Sequence, residues 1–403
     1  MPKAWRLPVF LSGLILLSQA FPLMSPVRNA ATGEWVSGFS LQLPTAYLIF
    51  APFCGIATRI TLLSFHQALV FLTYLFLTFL WFTKPLKIAL AWAVFIVFFV
   101  WIAAVPHPAA RLVAADKDVI LVDFHSHSRV SHDGRPSFDA AANIRWHAVQ
   151  GYNAGFITDH NQTETTQKAK ELTRQSWQTA GYRALEGEEI SLWKTHLVVL
   201  GNHQRIDNQP FDSDPARVRV FIGEMNRRKL PVISSLPEYW IYHWDGSPIG
   251  TMQDFVNWGI NGFEIVNSAP KALDFPPHYR RQIVEICRAN NLFMTGISDT
   301  HGYGYSTSVW NAMRIPGWQT MDPDALEAAV IKTLNTERFR AVEVLEFARY
   351  NPATLAGLLV APLLDAGIYW RSLQLFEVLS WLVWIWLSHI LWSIFRTRRL
   401  TDG

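Results

Sequence analysis

The segment Val122-Asp-Phe-His-Ser-His127 places two histidines one residue apart at the end of an apolar run. Side chains alternate between the two faces of an extended strand, so His125 and His127 share one face while Phe124 and Ser126 point to the other. Two neutral imidazoles side by side at a strand end can chelate a divalent metal. The segment therefore predicts a β-strand that carries part of a metal site.

Other histidines and acidic residues follow at the ends of further short apolar runs. They are Asp133, Asp159, His160, Glu189, His196, Glu264, Asp299 and His301. In a barrel-like α/β fold the carboxyl ends of successive strands converge on one mouth, so residues far apart in sequence can share a few metal ions. The spacing therefore predicts one shared metal site.

The middle of the chain, residues 118–345, alternates short apolar runs with helical patterns. The predicted strands are Val119 to Phe124, Gly155 to Thr158, Arg183 to Ile190, Leu197 to Leu200, Val232 to Ser235, Gly262 to Val266 and Leu292 to Ile297. The predicted helices are Phe138 to Gln150, Thr163 to Thr179, Ala216 to Arg228, His278 to Asn290 and Pro323 to Asn335. Strands that alternate with helices indicate an α/β fold with a parallel sheet or barrel.

These motifs resemble those of the polymerase and histidinol phosphatase (PHP) superfamily of metal-dependent hydrolases. The resemblance rests on Asp123 to His127 with Ser131-His-Asp-Gly134, Gly151 to His160, Gly187-Glu-Glu-Ile190 with His196, Gly262 to Asn267, and Gly296 to His301. It covers the whole middle segment in the expected order and leaves the flanking apolar segments out. It implies a distorted seven-stranded (β/α) barrel, with two or three divalent metal ions (Mn, Fe or Zn) at the carboxyl ends of the strands.

The resemblance also implies which residues hold these ions. One ion would take His125, His127, Glu189 and Asp299, with Glu189 as the bridging carboxylate. The second ion would take Asp133, His160 and His301, and a third would use His196. The residues expected to take part in catalysis are Asp133, Glu189, His196 and Asp299.

The chain departs from the family pattern at one position of the third site. The pattern has a histidine immediately before a proline after the next strand, but this chain has Leu236 before Pro237. An aliphatic side chain has no lone pair to donate, so the third ion would lose a ligand. Either the site holds two ions, or His243 swings in from the following loop.

Several neighbours of the expected ligands have a more ordinary interpretation. Glu188 is expected to face solvent or a basic partner, and Asp159 to orient the imidazole of His160. Glu264 is either an inward carboxylate near the site or a structural hydrogen-bond acceptor. His132 and His147 are expected to be a loop residue and a helix-face residue outside the site.

Function is predicted from this ligand set. Metal ions that activate water would make the protein a hydrolase, most simply a phosphoesterase acting on a phosphorylated small molecule. The alternatives are hydrolysis of a carboxylic ester, amide or carbamate, and a non-catalytic membrane sensor whose barrel binds metal. No basic tract is long enough to indicate nucleic-acid binding, and the net charge is only +3.

The ends of the chain point to the lipid bilayer. Hydrophobic residues make up 50% of the sequence, which contains 18 tryptophans. Leu62 to Phe82, Ile88 to Val105 and Val378 to Phe395 are uncharged and long enough to cross a bilayer. The chain is thus predicted to be an integral protein of a bacterial-type plasma membrane, with a membrane domain at 1–110, a hydrolase domain at 118–345, and an amphipathic segment, membrane helix and basic tail at 351–403.

Three further apolar segments leave the number of spans open. Leu7 to Val27 is interpreted as a retained first helix or as a cleaved signal. Leu41 to Ala57 contains Pro44 and Pro52, so it is a span or a re-entrant or interfacial segment. Thr354 to Trp370 would be a span in spite of Asp365.

Basic residues beside the spans predict the orientation. They are Lys3, Arg6, Lys84, Lys87, Arg396, Arg398 and Arg399. With these residues inside, three amino-terminal helices and one carboxy-terminal helix place the hydrolase domain outside the cytoplasm, which is the favoured topology. If all the further segments span, that domain is cytoplasmic instead. Cys54 and Cys287 form no disulfide framework that would decide the compartment.

Overall fold

The computed structural model describes residues 5–23, 25–80, 85–235, 237, 249–270 and 272–401. Its helices are α1 (Arg6–Ser18), α2 (Thr45–Ile49), α3 (Ala51–Thr61), α4 (Phe65–Leu80), α5 (Pro85–Ala104), α6 (Ala140–Gln150), α7 (Glu164–Ala180), α8 (Pro215–Arg227), α9 (Met252–Trp258), α10 (Pro277–Ala289), α11 (Pro323–Glu337), α12 (Leu355–Ser372) and α13 (Leu375–Thr401). Its strands are β1 (Val27–Asn29), β2 (Phe39–Gln42), β3 (Arg111–Ala114), β4 (Val119–Asp123), β5 (Ala154–Ile157), β6 (Arg183–Leu192), β7 (Thr195–Leu200), β8 (Val232–Ser235), β9 (Gly262–Asn267), β10 (Phe293–Ile297), β11 (Val309–Arg314) and β12 (Glu343–Phe347).

Ten strands form one curled mixed sheet in the order β1-β12-β11-β4-β5-β6-β7-β8-β9-β10. Strands β4, β5, β6, β8, β9 and β10 run in one direction, and β7 runs antiparallel between β6 and β8. The separate pair β2–β3 is antiparallel. The predicted α/β class is confirmed, and all seven predicted strands form.

The sheet differs from a regular (β/α) barrel in two ways. Strands β6 and β7 form a hairpin across Trp193 and Lys194, where the sequence pattern indicated two parallel strands. Only two residues separate these strands, and a parallel connection needs a crossover of a dozen or more. In addition, β11, β12 and β1 extend the sheet beyond β4 through antiparallel pairs that the sequence pattern did not indicate.

The sheet curls until β10, at one end, approaches β11 and β12 near the other end. Strand β10 lies against β11, and the buried side chain of Asn311 on β11 joins β4 to β10. Its Nδ2 donates to Val122 O (2.9 Å) and Gly296 O (2.6 Å), while its Oδ1 accepts from Gly296 N (2.7 Å). Just beyond the strands, His127 N donates to Thr300 O at 2.9 Å. The closure therefore occurs beside residues expected to bind metal.

Helices cover the outside of the curled sheet, where apolar side chains from α8, α10 and α11 join strand residues in one core. Local signals set the helix ends. Asp139 caps α6 by accepting from Ala142 N, and Gly151 ends it at a φ of 94°. A Cβ at Gly151 would lie 2.4 Å from Leu112 O, so this position requires glycine for both conformation and space.

Two described helices, α5 and the Leu375–Ile394 part of α13, are long and apolar enough to cross a membrane. Their mean hydropathies are 2.4 and 1.5, and α1 and α4 are shorter apolar helices. Leu7 to Val27 does not form one continuous span: α1 ends at Ser18 and Val27 begins β1. Pro22 and Pro26 supply no backbone N–H, which opposes a longer helix.

The other apolar segments are also interrupted. Leu41 to Ala57 divides into β2, α2 and α3. Helix α12 begins at Leu355 and includes the rest of the segment Thr354 to Trp370, but it contains Pro362 and a buried Asp365. Strand β1 brings the amino-terminal segment into the large sheet, and the division into 1–110, 118–345 and 351–403 stays a prediction.

Candidate metal centre

The expected ligands lie at one edge of the sheet, where the co-directional strands end. His125 and His127 follow β4, His160 follows β5, and Glu189 lies in the long strand β6. His196 lies on β7, across the sheet from Ser235 of β8. Asp299 and His301 follow β10. The fold thus gathers residues that are separated by up to 176 positions in sequence.

Glu189 is buried at the centre of this group. Its Oε2 lies 3.1 Å from His125 Nε2, 3.3 Å from His127 Nε2 and 3.1 Å from His160 Nδ1. Its Oε1 lies 2.9 Å from His196 Nδ1. The two carboxylate oxygens therefore face different histidines, as a bridging ligand requires.

Two aspartates complete the arrangement on either side. Asp299 Oδ1 lies 3.2 Å from His127 Nε2, and Asp299 Oδ2 accepts from Asn267 Nδ2 at 3.0 Å. Asp133 Oδ2 lies 3.1 Å from His301 Nε2 and 3.8 Å from His160 Nε2. The Asp133 side chain is 44% exposed, so it stands at the open side of the site.

Hydrogen bonds behind three imidazoles fix which ring nitrogen faces the site. Nδ1 lies 2.7 Å from Glu264 Oε1 in His125, 2.9 Å from Ser131 Oγ in His127, and 2.8 Å from the backbone oxygen of Asp299 in His301. A proton on each Nδ1 satisfies these contacts and leaves the Nε2 lone pair toward the cluster. Glu264 thus contacts His125, an expected ligand, at the ring nitrogen that faces away from the cluster.

When the imidazoles are neutral, this arrangement leaves electron pairs facing each other. His125 Nε2 and His127 Nε2 are 3.0 Å apart, and both lie beside Glu189 Oε2. Among the described residues, the buried polar atoms without a hydrogen-bond partner include Glu189 Oε2, Asp299 Oδ1, His160 Nδ1 and His301 Nε2. Buried acceptors that converge without a donor are costly unless a proton or a cation lies among them.

The donor set fits divalent transition metals, because imidazole nitrogens and carboxylate oxygens suit zinc, iron and manganese. Within the part of the chain that the structure describes, four groups have donor atoms within 4.8 Å of one another: His125–His127–Asp299, His127–His160–His301, His160–Glu189–His196 and His132–Asp133–His160. These groups are able to hold metal ions.

The charges of the site also favour metal binding. Burial opposes ionisation of Glu189, but the imidazoles of His125 and His196 outweigh it and hold the pKa of Glu189 well below its usual value. Burial also opposes ionisation of Asp299, but its contact with His127 outweighs burial and lowers the pKa of Asp299 to about 2. Burial lowers the pKa of His127 to about 3. Ionised carboxylates and a neutral His127 are the protonation states in which these groups bind metal. At His125 and His196 the carboxylate of Glu189 outweighs burial and raises the pKa, so a bound metal would displace protons from those two rings.

Several neighbours differ from their expected places. Glu188 is buried rather than solvent-facing; its Oε2 accepts from Asn202 Nδ2 and Ile206 N, and burial raises its pKa to about 7. Asp159 accepts from Ser128 and Ser131 instead of orienting the ring of His160. The alternation of side chains along β6 predicts that Glu189 faces inward. It does not predict whether other parts of the chain bury the side chain of Glu188 on the opposite face.

Further residues lie around the expected ligands. His132, expected outside it, has a ring 4.9 Å from that of His160 and shares a possible metal group. The sequence feature that could have indicated this is that His132 is adjacent to Asp133, an expected ligand. His147 is buried and contacts Asp123 Oδ2 at 3.0 Å, away from the expected ligands. Ser131, Ser235 and Asn267 support the ligands by hydrogen bonds that sequence reasoning missed. Leu236 and His243 lie outside the described residues.

No protein-family model matches this chain, and no curated protein matches it. Solved structures with similar folds include a two-domain protein from Bacteroides vulgatus containing a predicted PHP-like metal-dependent phosphoesterase (16% identity, TM-score 0.39, covering 60% of this chain and 70% of that one). Another is PsfC from Pseudomonas syringae (17% identity, TM-score 0.37, covering 63% of this chain and 98% of that one). A third is an amidohydrolase from Chromobacterium violaceum (14% identity, TM-score 0.31, covering 49% of this chain and 92% of that one). At these identities and TM-scores, the similarities assign no function to this chain.

Proposed function

We propose that this protein is a membrane-anchored, metal-dependent phosphoesterase. One observation carries the proposal: two imidazole Nε2 atoms 3.0 Å apart both face the buried oxygen Oε2 of Glu189. A cation among these atoms would relieve the repulsion between their electron pairs.

The proposed ligand sets follow the distances. His125, His127, Glu189 and Asp299 would hold one ion, and Asp133, His160 and His301 would hold a second. His196, opposite Oε1 of Glu189, would serve a third ion if one is bound. Glu189 would bridge the sets, because each of its oxygens faces a different group of histidines.

Hydrolysis needs an activated water molecule and stabilisation of negative charge in the transition state. Divalent ions bound here would lower the pKa of water and neutralise charge on phosphoryl oxygens. The chain itself holds its ligand rings rigidly through Glu264 and Ser131. Asp133, at the open side, would accept a proton from water. The side chain of Glu189 is fully buried and that of Asp299 is only 9% exposed, which would limit competing solvent.

Membrane anchoring is supported by α5 and α13. In an apolar stretch of 18 residues in each helix, only 6% of the residues in α5 and 11% of those in α13 are buried inside the protein. Exposure of such surfaces to water is unfavourable by about 25 cal/mol per Å² of apolar area. A bilayer would cover both helices.

The functional test uses full-length protein in detergent or nanodiscs, loaded in turn with manganese, iron and zinc. Aryl phosphate mono- and diesters should be hydrolysed, and His125→Ala and Asp299→Ala should abolish turnover without unfolding the protein. His203→Ala is the matched control, since His203 is 63% exposed and contacts Glu186 instead of the cluster. Turnover of aryl esters or amides alone would replace the phosphoesterase proposal with carbonyl hydrolysis. Metal binding without any turnover would indicate a sensor.

A further inference from the structure

The loop that carries His301 is attached directly to the end of the most apolar helix. Gly304 N donates to Ala103 O of α5 at 3.0 Å. The guanidinium of Arg135 donates to Ala104 O at 3.0 Å, and Arg135 N donates to the backbone oxygen of His301 at 2.9 Å. The end of α5 is therefore two hydrogen bonds away from a candidate metal ligand.

A second helix reaches the same side of the site. Phe65, the first residue of α4, donates its N–H to Pro270 O at 3.0 Å, and His66 N donates to Asp274 Oδ2 at 3.1 Å. Pro270 lies three residues beyond Asn267, which bonds Asp299. The loops after β9 and β10 thus rest on the adjacent ends of α4 and α5.

Apolar and aromatic side chains are exposed at this level of the molecule. Tyr303 is 61% exposed, Phe65 46% and Val105 43%. Aromatic side chains of this kind suit the boundary between lipid and water. Helix α5 has 20 residues, which span about 30 Å, the thickness of the hydrocarbon core. If α5 crosses the bilayer, its end at Ala104 lies at the headgroup layer.

We infer that the site acts on a phosphate ester carried by a membrane lipid, whose headgroup enters from the bilayer surface. This inference rests on the proposed function. In the reaction, the oxygen of water forms a new bond to phosphorus as the bond from phosphorus to the lipid oxygen breaks. One proton from water goes to that leaving oxygen, and the lipid alcohol stays in the bilayer.

The test compares the same headgroup inside and outside a membrane. Metal-loaded full-length protein in nanodiscs is given dioleoyl phosphatidic acid or dioleoyl phosphatidylglycerol in the same disc, and separately the dibutyryl forms in solution. A shared surface raises the effective concentration of the lipid, so we expect kcat/KM to be higher by about tenfold or more for at least one bilayer-borne form. p-Nitrophenyl phosphate serves as the soluble reference substrate.

A variant pair isolates the membrane-facing surface. Phe65→Asp should lower turnover of the bilayer-borne substrate by about fivefold or more while leaving the p-nitrophenyl phosphate rate unchanged, because it puts a charge at the lipid boundary. Val220→Asp is the control, since Val220 is 49% exposed on α8, which packs against α9 and β8. Equal rates on long- and short-chain forms, with p-nitrophenyl phosphate hydrolysed, would overturn the lipid inference and leave the phosphoesterase. No hydrolysis of any phosphate ester would overturn both.

Discussion

The imidazole of His125 owes its orientation to a carboxylate behind it. Glu264 is buried, and its Oε1 lies 2.7 Å from Nδ1 of His125, so the opposite nitrogen faces the cluster. A negative partner also makes an imidazole a stronger electron donor to a metal. Glu264 would therefore act on a bound metal through His125.

Replacing this carboxylate should weaken metal binding without disturbing the fold. In Glu264→Gln the neutral amide supports the imidazole less strongly, so we expect metal affinity to fall by about 10–100-fold. Competition with a chromophoric chelator measures the change. Glu343→Gln is the matched control, because Glu343 also lies on a strand but bonds Asn29 Nδ2. Unaltered affinity in Glu264→Gln would show that the carboxylate only fills space.

Metal affinity should rise with pH between about 7 and 9. Burial disfavours a charged His301, but the contacts with Asp133 and Asp299 outweigh burial and raise its pKa to about 9. At pH 7 the metal must displace the proton on His301, so apparent affinity should increase by up to about tenfold per pH unit and level off above pH 9. Calorimetry in buffers of different ionisation enthalpy counts the protons released. His301→Gln should flatten this dependence, and an equally steep slope in that variant would contradict the assignment.

Individual residues were predictable where alternation or motif order controls them. The pattern His-Ser-His placed His125 and His127 on one face, and Glu189 rather than Glu188 faces the cluster. The supporting contacts of Ser131 and Asn267 were not predictable, because they depend on loop conformations set by tertiary packing. His132 lies in a loop, as expected, but its ring is 4.9 Å from that of His160.

Among the structural elements, β11 determines whether the sheet closes. The side-chain amide of Asn311 makes three hydrogen bonds to the backbones of β4 and β10. These backbone atoms lie in the interior, where no water replaces a lost partner. Closure in turn brings Asp299 beside His127.

Asn311→Ala should therefore destabilise the protein and weaken the site together. Leaving several buried backbone groups without partners should lower the free energy of unfolding by about 2–4 kcal/mol, measured by chemical denaturation. Metal affinity should fall as well, because Asp299 follows the strand that Asn311 holds. Asn257→Ala is the control, since Asn257 is exposed on α9 and should change stability by less than about 0.5 kcal/mol. A loss in Asn311→Ala no larger than in this control would refute its role in closure.

The elements divide into those with a strong local signal and those without one. Strands β4 to β10 follow the pattern of short segments, rich in apolar residues, that carry the motifs, and the sequence predicts all of them. The direction of β7 also had a signal: only six residues separate the predicted strands Arg183 to Ile190 and Leu197 to Leu200, too few for a parallel crossover. Strands β1 and β12 are short and pair across more than 300 residues, so nothing local indicates them.

At the scale of the whole molecule, the apolar helices extend from one side of the barrel. Helices α4 and α5 meet the barrel at Phe65 and Ala104, so their other ends, Leu80 and Pro85, lie farther from it. Trp5 at the start of α1 packs on Trp386, well along α13. Trp5, Leu80 and Pro85 thus lie on the side away from the candidate metal centre.

This arrangement predicts a topology. Arg6 and Lys87 lie near the helix ends that point away from the curled sheet, and Lys3, Lys84, Arg396, Arg398 and Arg399 flank the apolar helices in sequence. Basic residues beside membrane spans are retained in the cytoplasm. A reporter fused after Gly403 should be active in the cytoplasm, and one inserted near Asn208 should be active outside it. A cytoplasmic reporter at Asn208 would favour the alternative with additional spans.

Metal stoichiometry is the measurement that tests the central claim most directly. Full-length protein, stripped with chelator and reloaded with manganese, iron or zinc, is analysed by inductively coupled plasma mass spectrometry. We predict two or three ions per chain for at least one metal, as a shared carboxylate at Glu189 implies, and loss of bound metal in His125→Ala but not in His203→Ala. Folded protein that retains less than about one ion per chain under all three conditions would contradict a metal centre at this site.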